Sequence, residues 1–337
     1  MNPNPAASRF PMKTLPSILV TGAPRTGTTL LGEMLGQPRS VGVLFEPFHP
    51  DVGVNGLDAD VFDKDRERTP GKPLRVEFPF VTDEHPFAAS FQRLLADVIA
   101  GRASYKRPSY PGRHGWLTAL ARSFVKSRLA LRNRLAVALP YHTRWVVKDP
   151  HLCLASEFAH RALGMACLVT IRHPAATVES WKRLGWNPDL RQFWRQPLLW
   201  ETHLQSLPRA EPERLSPLER AAYVWLYINK TLLDFRDRNP DMVFLRLEDM
   251  ALRPGEIFRG LYERFGLPFD AAVERAVLAH TAAGSDAAGT REQPHRLKRD
   301  SHSVVAGWKA RLSSGEQHAI REIVGETGGA FYPDEAW

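Results

Sequence analysis

Cysteine is scarce: the 337 residues hold two, Cys153 and Cys167, in no Cys-x-x-Cys pair. That excludes a disulfide framework and gives no sign of a zinc or redox centre built on thiolates. Both are read as small buried hydrophobes. No run approaches the roughly 18 apolar residues of a membrane span. Residues 1–16 carry Arg9 and Lys13 but lack the apolar stretch of a signal peptide. They read as a disordered, proline-rich leader on a cytoplasmic protein. Acidic residues are also missing from one long stretch. Residues 102–134 contain nine Lys or Arg and no Asp or Glu, more than the whole net charge of +8. Such charge favours an anionic partner without choosing among nucleotide, nucleic acid, polysaccharide and membrane.

What is present is enough apolar material, 43% of residues, for a sizeable core. Ser17-Ile-Leu-Val-Thr21 reads as a strand, Gly22 to Thr28 as a glycine-containing loop and Thr29 to Leu35 as a helix. Val41 to Phe45 reads as a second strand that delivers Glu46 at its carboxyl end. Residues 51–86 lack periodicity and are expected to be a surface excursion. Helices follow over 87–99 and among Leu117, Leu120, Phe124, Leu131 and Leu135. Further strands are expected at 145–148, 166–171 and 242–247. The intervening helices fall near 155–163, 175–184 and 218–236, with others reaching about 280. Residues 281–303 read as a polar loop and 313–325 as a final helix. Strands alternating with helices predict a doubly wound, mostly parallel α/β sheet of the P-loop type, covered on both faces. Residues 17–337 form one domain in this reading, with a basic helical insertion at about 51–140.

Ligands of such sheets bind outside the carboxyl ends of the strands, where Gly22, Glu46, Lys148 and Arg172 are expected. The frame strand–GxxxxG–helix, with Gly22 and Gly27, is a phosphate cradle of backbone N–H groups and a helix dipole. The position after the second glycine holds Thr28, where a nucleoside triphosphatase needs lysine. The positive charge lies inside the loop, at Arg25.

Pro24-Arg25-Thr26-Gly27-Thr28-Thr29 resembles the 5′-phosphosulfate loop of sulfotransferases that use 3′-phosphoadenosine 5′-phosphosulfate (PAPS), particularly the carbohydrate and tyrosyl-protein members. Ile171-Arg-His-Pro-Ala-Ala-Thr-Val-Glu-Ser180 resembles that family's 3′-phosphate signature. The likeness extends to Val147-Lys148-Asp149-Pro150, Leu245-Arg-Leu-Glu-Asp249 and Gly307-Trp308-Lys309, but not to residues 51–140. The resemblance implies that Arg25, Thr26, Gly27, Thr28 and Thr29 hold the 5′-phosphosulfate, and Arg172 and Ser180 the 3′-phosphate. It implies no metal, and adenosine 3′,5′-bisphosphate as product. Glu46 resembles the catalytic base of carbohydrate-type members. Cytosolic members have a histidine two residues after the strand lysine, where this chain has Pro150, so His151 ranks second. Lys148 is the cation near the transferred group. In the family the region of Trp308 and Lys309 closes over the nucleotide; Lys298 and Arg299 before it read either as added charge near the 3′-phosphate or as a solvated loop.

Plainer readings stand beside these. Glu46 is a cap or an arginine partner, His151 makes a local hydrogen bond, and the tryptophans from Trp181 to Trp200 are core. A P-loop kinase with an altered loop and a non-catalytic binder of anionic surfaces remain as rivals. The expected partner is a small-molecule, glycan or lipid-linked acceptor and not nucleic acid. Peripheral contact with an anionic membrane is left open, as are the acceptor and the oligomeric state.

Overall fold

The computed structural model describes residues 16–57, 76–106, 127–281 and 305–337. Expectations for the leader, the helix from Leu117 to Phe124, and Lys298 and Arg299 lie outside these. The five strands are β1 (Ile18–Gly22), β2 (Val41–Phe45), β3 (Arg144–Lys148), β4 (Ala166–Ile171) and β5 (Val243–Arg246). All pair in parallel, in the order β2-β3-β1-β4-β5. The strands are short, β1 and β4 are rich in β-branched residues, and the central strands β3, β1 and β4 are buried on both faces, as in an all-parallel sheet covered by helices.

The helices are α1 (Thr28–Leu35), α2 (Ala88–Ile99), α3 (Arg128–Ala138), α4 (Ser156–Leu163), α5 (Pro174–Leu184), α6 (Pro217–Arg238), α7 (Leu247–Leu252), α8 (Pro254–Phe265), α9 (Ala271–Thr281) and α10 (Ser314–Phe331). Side chains alternate across the sheet. Ile18 and Val20 face a core shared with α1, α8 and α9. Leu19 faces a larger core shared with α2, α4, α5, α6 and α10. Adjacent strands β1 and β3 thus send their following helices, α1 and α4, to opposite faces, which opens a crevice at their carboxyl ends. Register fixes who meets there: Phe45 pairs with Lys148, Val20 with Lys148 and Gly22 with Thr170.

The expected surface excursion needs correcting over its last third. Phe78, Phe80 and Val81 are buried in the larger core. Two amides hold that segment. Gln192 Oε1 accepts from the N–H of Glu77 at 2.8 Å, and Gln196 Oε1 from that of Phe80 at 2.8 Å. The final helix also runs past its expected end at Gly325, which takes a φ of 43° at a kink, and continues to Phe331. Both cysteines are buried thiols.

Candidate functional site

The loop after β1 is set by backbone geometry. Gly22 has a φ of 139°, and a Cβ there would lie 2.2 Å from the carbonyl oxygen of Thr170. Gly27, at φ 95°, is the N-cap of α1 and gives it no side-chain cap. The first amides of that helix have no carbonyl of their own helix to bond. Thr26 is buried; its hydroxyl donates to the Ala23 carbonyl at 2.7 Å and lies 2.5 Å from the hydroxyl of Thr170. That hydroxyl is committed to the scaffold, so Thr26 offers a ligand only its backbone. Thr28 is buried and Thr29 half-buried at the helix start.

Arg25 sits in the left-handed region at φ 73°, where a side chain with a Cβ is strained. Its Nε donates to Ser180 Oγ at 3.4 Å, and its carbonyl accepts from Arg172 Nη1 at 3.3 Å. The indole of Trp181 donates to the Pro24 carbonyl, and that of Trp225 to the Arg172 carbonyl. The structure therefore brings together Arg25, Arg172 and Ser180, contributed by the ends of β1 and β4 and by α5.

Glu46 is the other described non-glycine residue with positive φ, at 42°. Its N–H donates to the Lys148 carbonyl at 2.7 Å, and its carboxylate accepts from Lys148 Nζ. Burial raises the pKa of Glu46, yet the charge and hydrogen bond of Lys148, with His151 and His49 adding to them, bring it below the usual carboxylate value. Burial lowers the pKa of Lys148, against the pull of Glu46. Lys148 Nζ and Arg132 Cζ each lie 4.3 Å from the ring centre of Phe45. The edge strand β2 is finished by Asn133 on α3. Its Oδ1 accepts from the Phe45 N–H at 2.8 Å and its Nδ2 donates to the Phe45 carbonyl at 3.0 Å, as a neighbouring strand would.

His151 is buried beside this pair. Its N–H donates to Asp149 Oδ1 at 3.0 Å and its Nδ1 lies 3.2 Å from the Glu77 carbonyl, which makes Nδ1 the protonated nitrogen. Burial holds its pKa down to about 3, so the ring is neutral at physiological pH. Asp149 is fully buried, and its other oxygen accepts from the Phe48 N–H at 2.6 Å. Burial, then the charge of Glu46, push its pKa up to about 7.

The acidic turn after β5 divides its labour. Asp249 makes a two-point ion pair with Arg246, at 2.8 and 2.9 Å. Glu248 points inward and accepts from the His173 N–H at 3.0 Å and the Tyr332 hydroxyl at 2.7 Å. The His173 ring stacks on Trp308 with centroids 4.6 Å apart, and Trp337 and Tyr332 meet it edge-on. Burial, with Lys309 and Arg172 adding to it, holds its pKa down to about 3. Lys309 donates to the Trp337 carbonyl at 2.7 Å. Asn133, Gln192 and Tyr332 carry no role legible in the sequence, and His173 and Glu248 stand there only as members of the stretches that carry the resemblance. The one usable signal was the Leu-Glu-Asp turn itself.

Among the described residues no group of three or more His, Cys, Asp or Glu is arranged to hold a metal. No described helix is long and apolar enough to cross a membrane.

The model of the family described as "Sulfotransferase family" matches residues 16–271. No curated protein matches the chain in sequence. Solved structures similar to it include the sulfotransferase domain from the curacin biosynthetic pathway, 18% identical, covering 91% of this chain and 97% of its own, with a TM-score of 0.42. Sulfotransferase STF9 from Mycobacterium avium is 18% identical, over 94% of this chain and 76% of its own, at 0.41. Retinol dehydratase, solved in complex with retinol and PAP, is 12% identical, over 92% and 80%, at 0.38.

Proposed function

The chain belongs to the sulfotransferase family, and on that premise we propose that it moves a sulfuryl group from PAPS to an acceptor hydroxyl by in-line transfer. The observation that carries this reading is the junction at Arg25, whose guanidinium bonds Ser180 and whose carbonyl bonds Arg172. It links the two expected anion sites in one contact network. The residues present suit a nucleotide with 5′ and 3′ anions: a loop where Gly22 has no room for a Cβ, an uncapped helix start, two arginines and a serine hydroxyl.

When bound, PAPS supplies an activated sulfuryl group whose bridging S–O bond breaks in the transfer, leaving adenosine 3′,5′-bisphosphate. The backbone of Thr26 and Gly27 and the amides of Thr28 and Thr29, at the positive end of α1, hold the 5′ anion. Arg172 and Ser180 hold the 3′-phosphate. Arg25 is fixed in place before the reaction and stabilises negative charge on the departing oxygen. Glu46, kept ionised by Lys148, takes the proton of the acceptor hydroxyl. Lys148 also adds a cation beside the transferred group. His151, hydrogen-bonded through its main-chain N–H and Nδ1, supports this corner and ranks behind Glu46 as base, because burial makes its ring a poor proton acceptor.

Calorimetry with adenosine 3′,5′-bisphosphate and with ATP tests the assignment. The bisphosphate should bind the wild type more tightly than ATP. Arg25→Ala and Arg172→Ala should each weaken it about tenfold or more, as expected for hydrogen bonds to a charged group. Equal affinity in all three proteins would refute the site.

A further inference from the structure

The outer face of α3 carries features that the transfer reaction does not use. The helix buries Ala130 and Asn133 and turns Leu131, Leu135 and, just past its end, Leu139 outward at four-residue spacing, which puts them on one face. Leu135 is 58% exposed, and Leu131, Leu139 and Tyr141 are each 40% exposed. Among the described residues they are four of the six large hydrophobic side chains so exposed, and they lie within eleven residues of sequence. Arg128, Arg132 and Arg134 are exposed on the same helix, and Arg39 lies over the Tyr141 ring at 5.1 Å. Glu33 is the acidic neighbour, 3.6 Å from Arg132. Between Asp97 and Asp149 the sequence has no Asp or Glu at all.

A contiguous apolar stripe rimmed by cations is the pattern of a helix that lies in a lipid interface. At eleven residues α3 is about 16 Å long, half of a hydrocarbon core, so it can lie on a bilayer but not cross one. We infer that this face docks on an anionic lipid surface. Leu131, Leu135, Leu139 and Tyr141 enter the headgroup boundary, and Arg39, Arg128 and Arg134 meet anionic headgroups.

The inner face of the same helix gives the docking a consequence. Asn133 grips Phe45, the residue before Glu46. A docked α3 therefore sets the proposed base within one helix thickness of the lipid surface. The acceptor that suits this placement is an amphiphile presenting a hydroxyl at that surface. This last step rests on the function proposed above; the docking itself does not.

Co-sedimentation of the full chain with vesicles tests it. The wild type should pellet with mixed phosphatidylglycerol and phosphatidylcholine vesicles, lose that binding at high salt, and stay in solution with phosphatidylcholine alone. The combined variant Leu131→Ser, Leu135→Ser, Leu139→Ser should bind about tenfold more weakly or worse. Arg128→Gln with Arg134→Gln should lose about fivefold per charge. All these residues are exposed, so the variants should melt as the wild type does. A wild type that ignores anionic vesicles, or a leucine variant that binds them unchanged, would overturn the inference. So would a wild-type dimer in sedimentation equilibrium that the leucine variant dissolves, which would assign the face to a second copy. Vesicle binding needs no nucleotide, so its failure is separable from failure of the bisphosphate titration.

Discussion

The two halves of the crevice are built by different means. On the β1 and β4 side, Gly22, Arg25, Gly27, Arg172 and Ser180 come from two short stretches, and much of their geometry is local: glycine φ angles, a helix start, a hydroxyl on the next helix. On the β2 and β3 side, half-buried Glu46 and buried Lys148 form a neutralised pair, and the strand end just before Glu46 is held from far away in sequence by Asn133. The first half is an excess of positive charge prepared for an anion. The second is a half-buried carboxylate kept ionised chiefly by a buried lysine. Both halves hold one strained residue, Arg25 and Glu46, which are also the residues proposed to touch the reacting atoms.

Variants that break one half and spare the other sharpen this contrast. The largest effect is expected from Glu46→Gln, which removes the proposed base while preserving shape. Turnover with any acceptor the wild type uses should fall about 10²- to 10⁴-fold. Lys148→Met leaves the Glu46 carboxylate buried without its partner and should cost about 3–5 kcal/mol of unfolding free energy. It should also raise the pKa of Glu46, shifting the acid limb of the pH–rate profile upward. Asn133→Ala orphans the N–H and carbonyl of Phe45 at the sheet edge. Denaturant unfolding should show a loss of about 2–4 kcal/mol, and kcat should drop more than the affinity for adenosine bisphosphate.

His173→Phe gives a smaller and pH-dependent effect. The histidine pKa is depressed to about 3 in the folded chain, so the unfolded state binds its proton first as pH falls below about 6.5. Its contribution is complete above pH 6.5 and is lost progressively toward pH 3. Phenylalanine keeps the stack on Trp308 and has nothing to protonate. At pH 5 the variant should therefore recover about 2 kcal/mol relative to its standing at pH 7. A stability difference that does not change between pH 7 and pH 5 would show that the ring titrates normally.

Legibility followed the same division. The parallel sheet is readable because buried strands are short apolar runs between helical periods, and the loop after β1 because its glycines and Arg25 lie within six positions. The placement of Arg172 and Ser180 at one strand–helix junction is legible for the same reason. Asn133 reaches Phe45 across 88 residues, and Gln192 reaches Glu77 across 115. Nothing at either end marks such a contact, because an amide on a helix has the same local pattern whether it faces water or a strand edge. Phe78 and Phe80 were misread for a related reason: without periodicity, a buried extended segment held by side-chain amides looks like a loop. His151 was readable at the main chain, since an Asp two residues before an N–H after Pro150 is a local capping pattern. Its burial was not.

The central claim is that binding of the bisphosphate belongs to one half of the crevice and proton removal to the other. Titration of adenosine 3′,5′-bisphosphate into Glu46→Gln and into Arg172→Ala tests it most directly. The account predicts that Glu46→Gln binds within about twofold of the wild type while Arg172→Ala loses about tenfold or more. Equal losses in the two variants would contradict it.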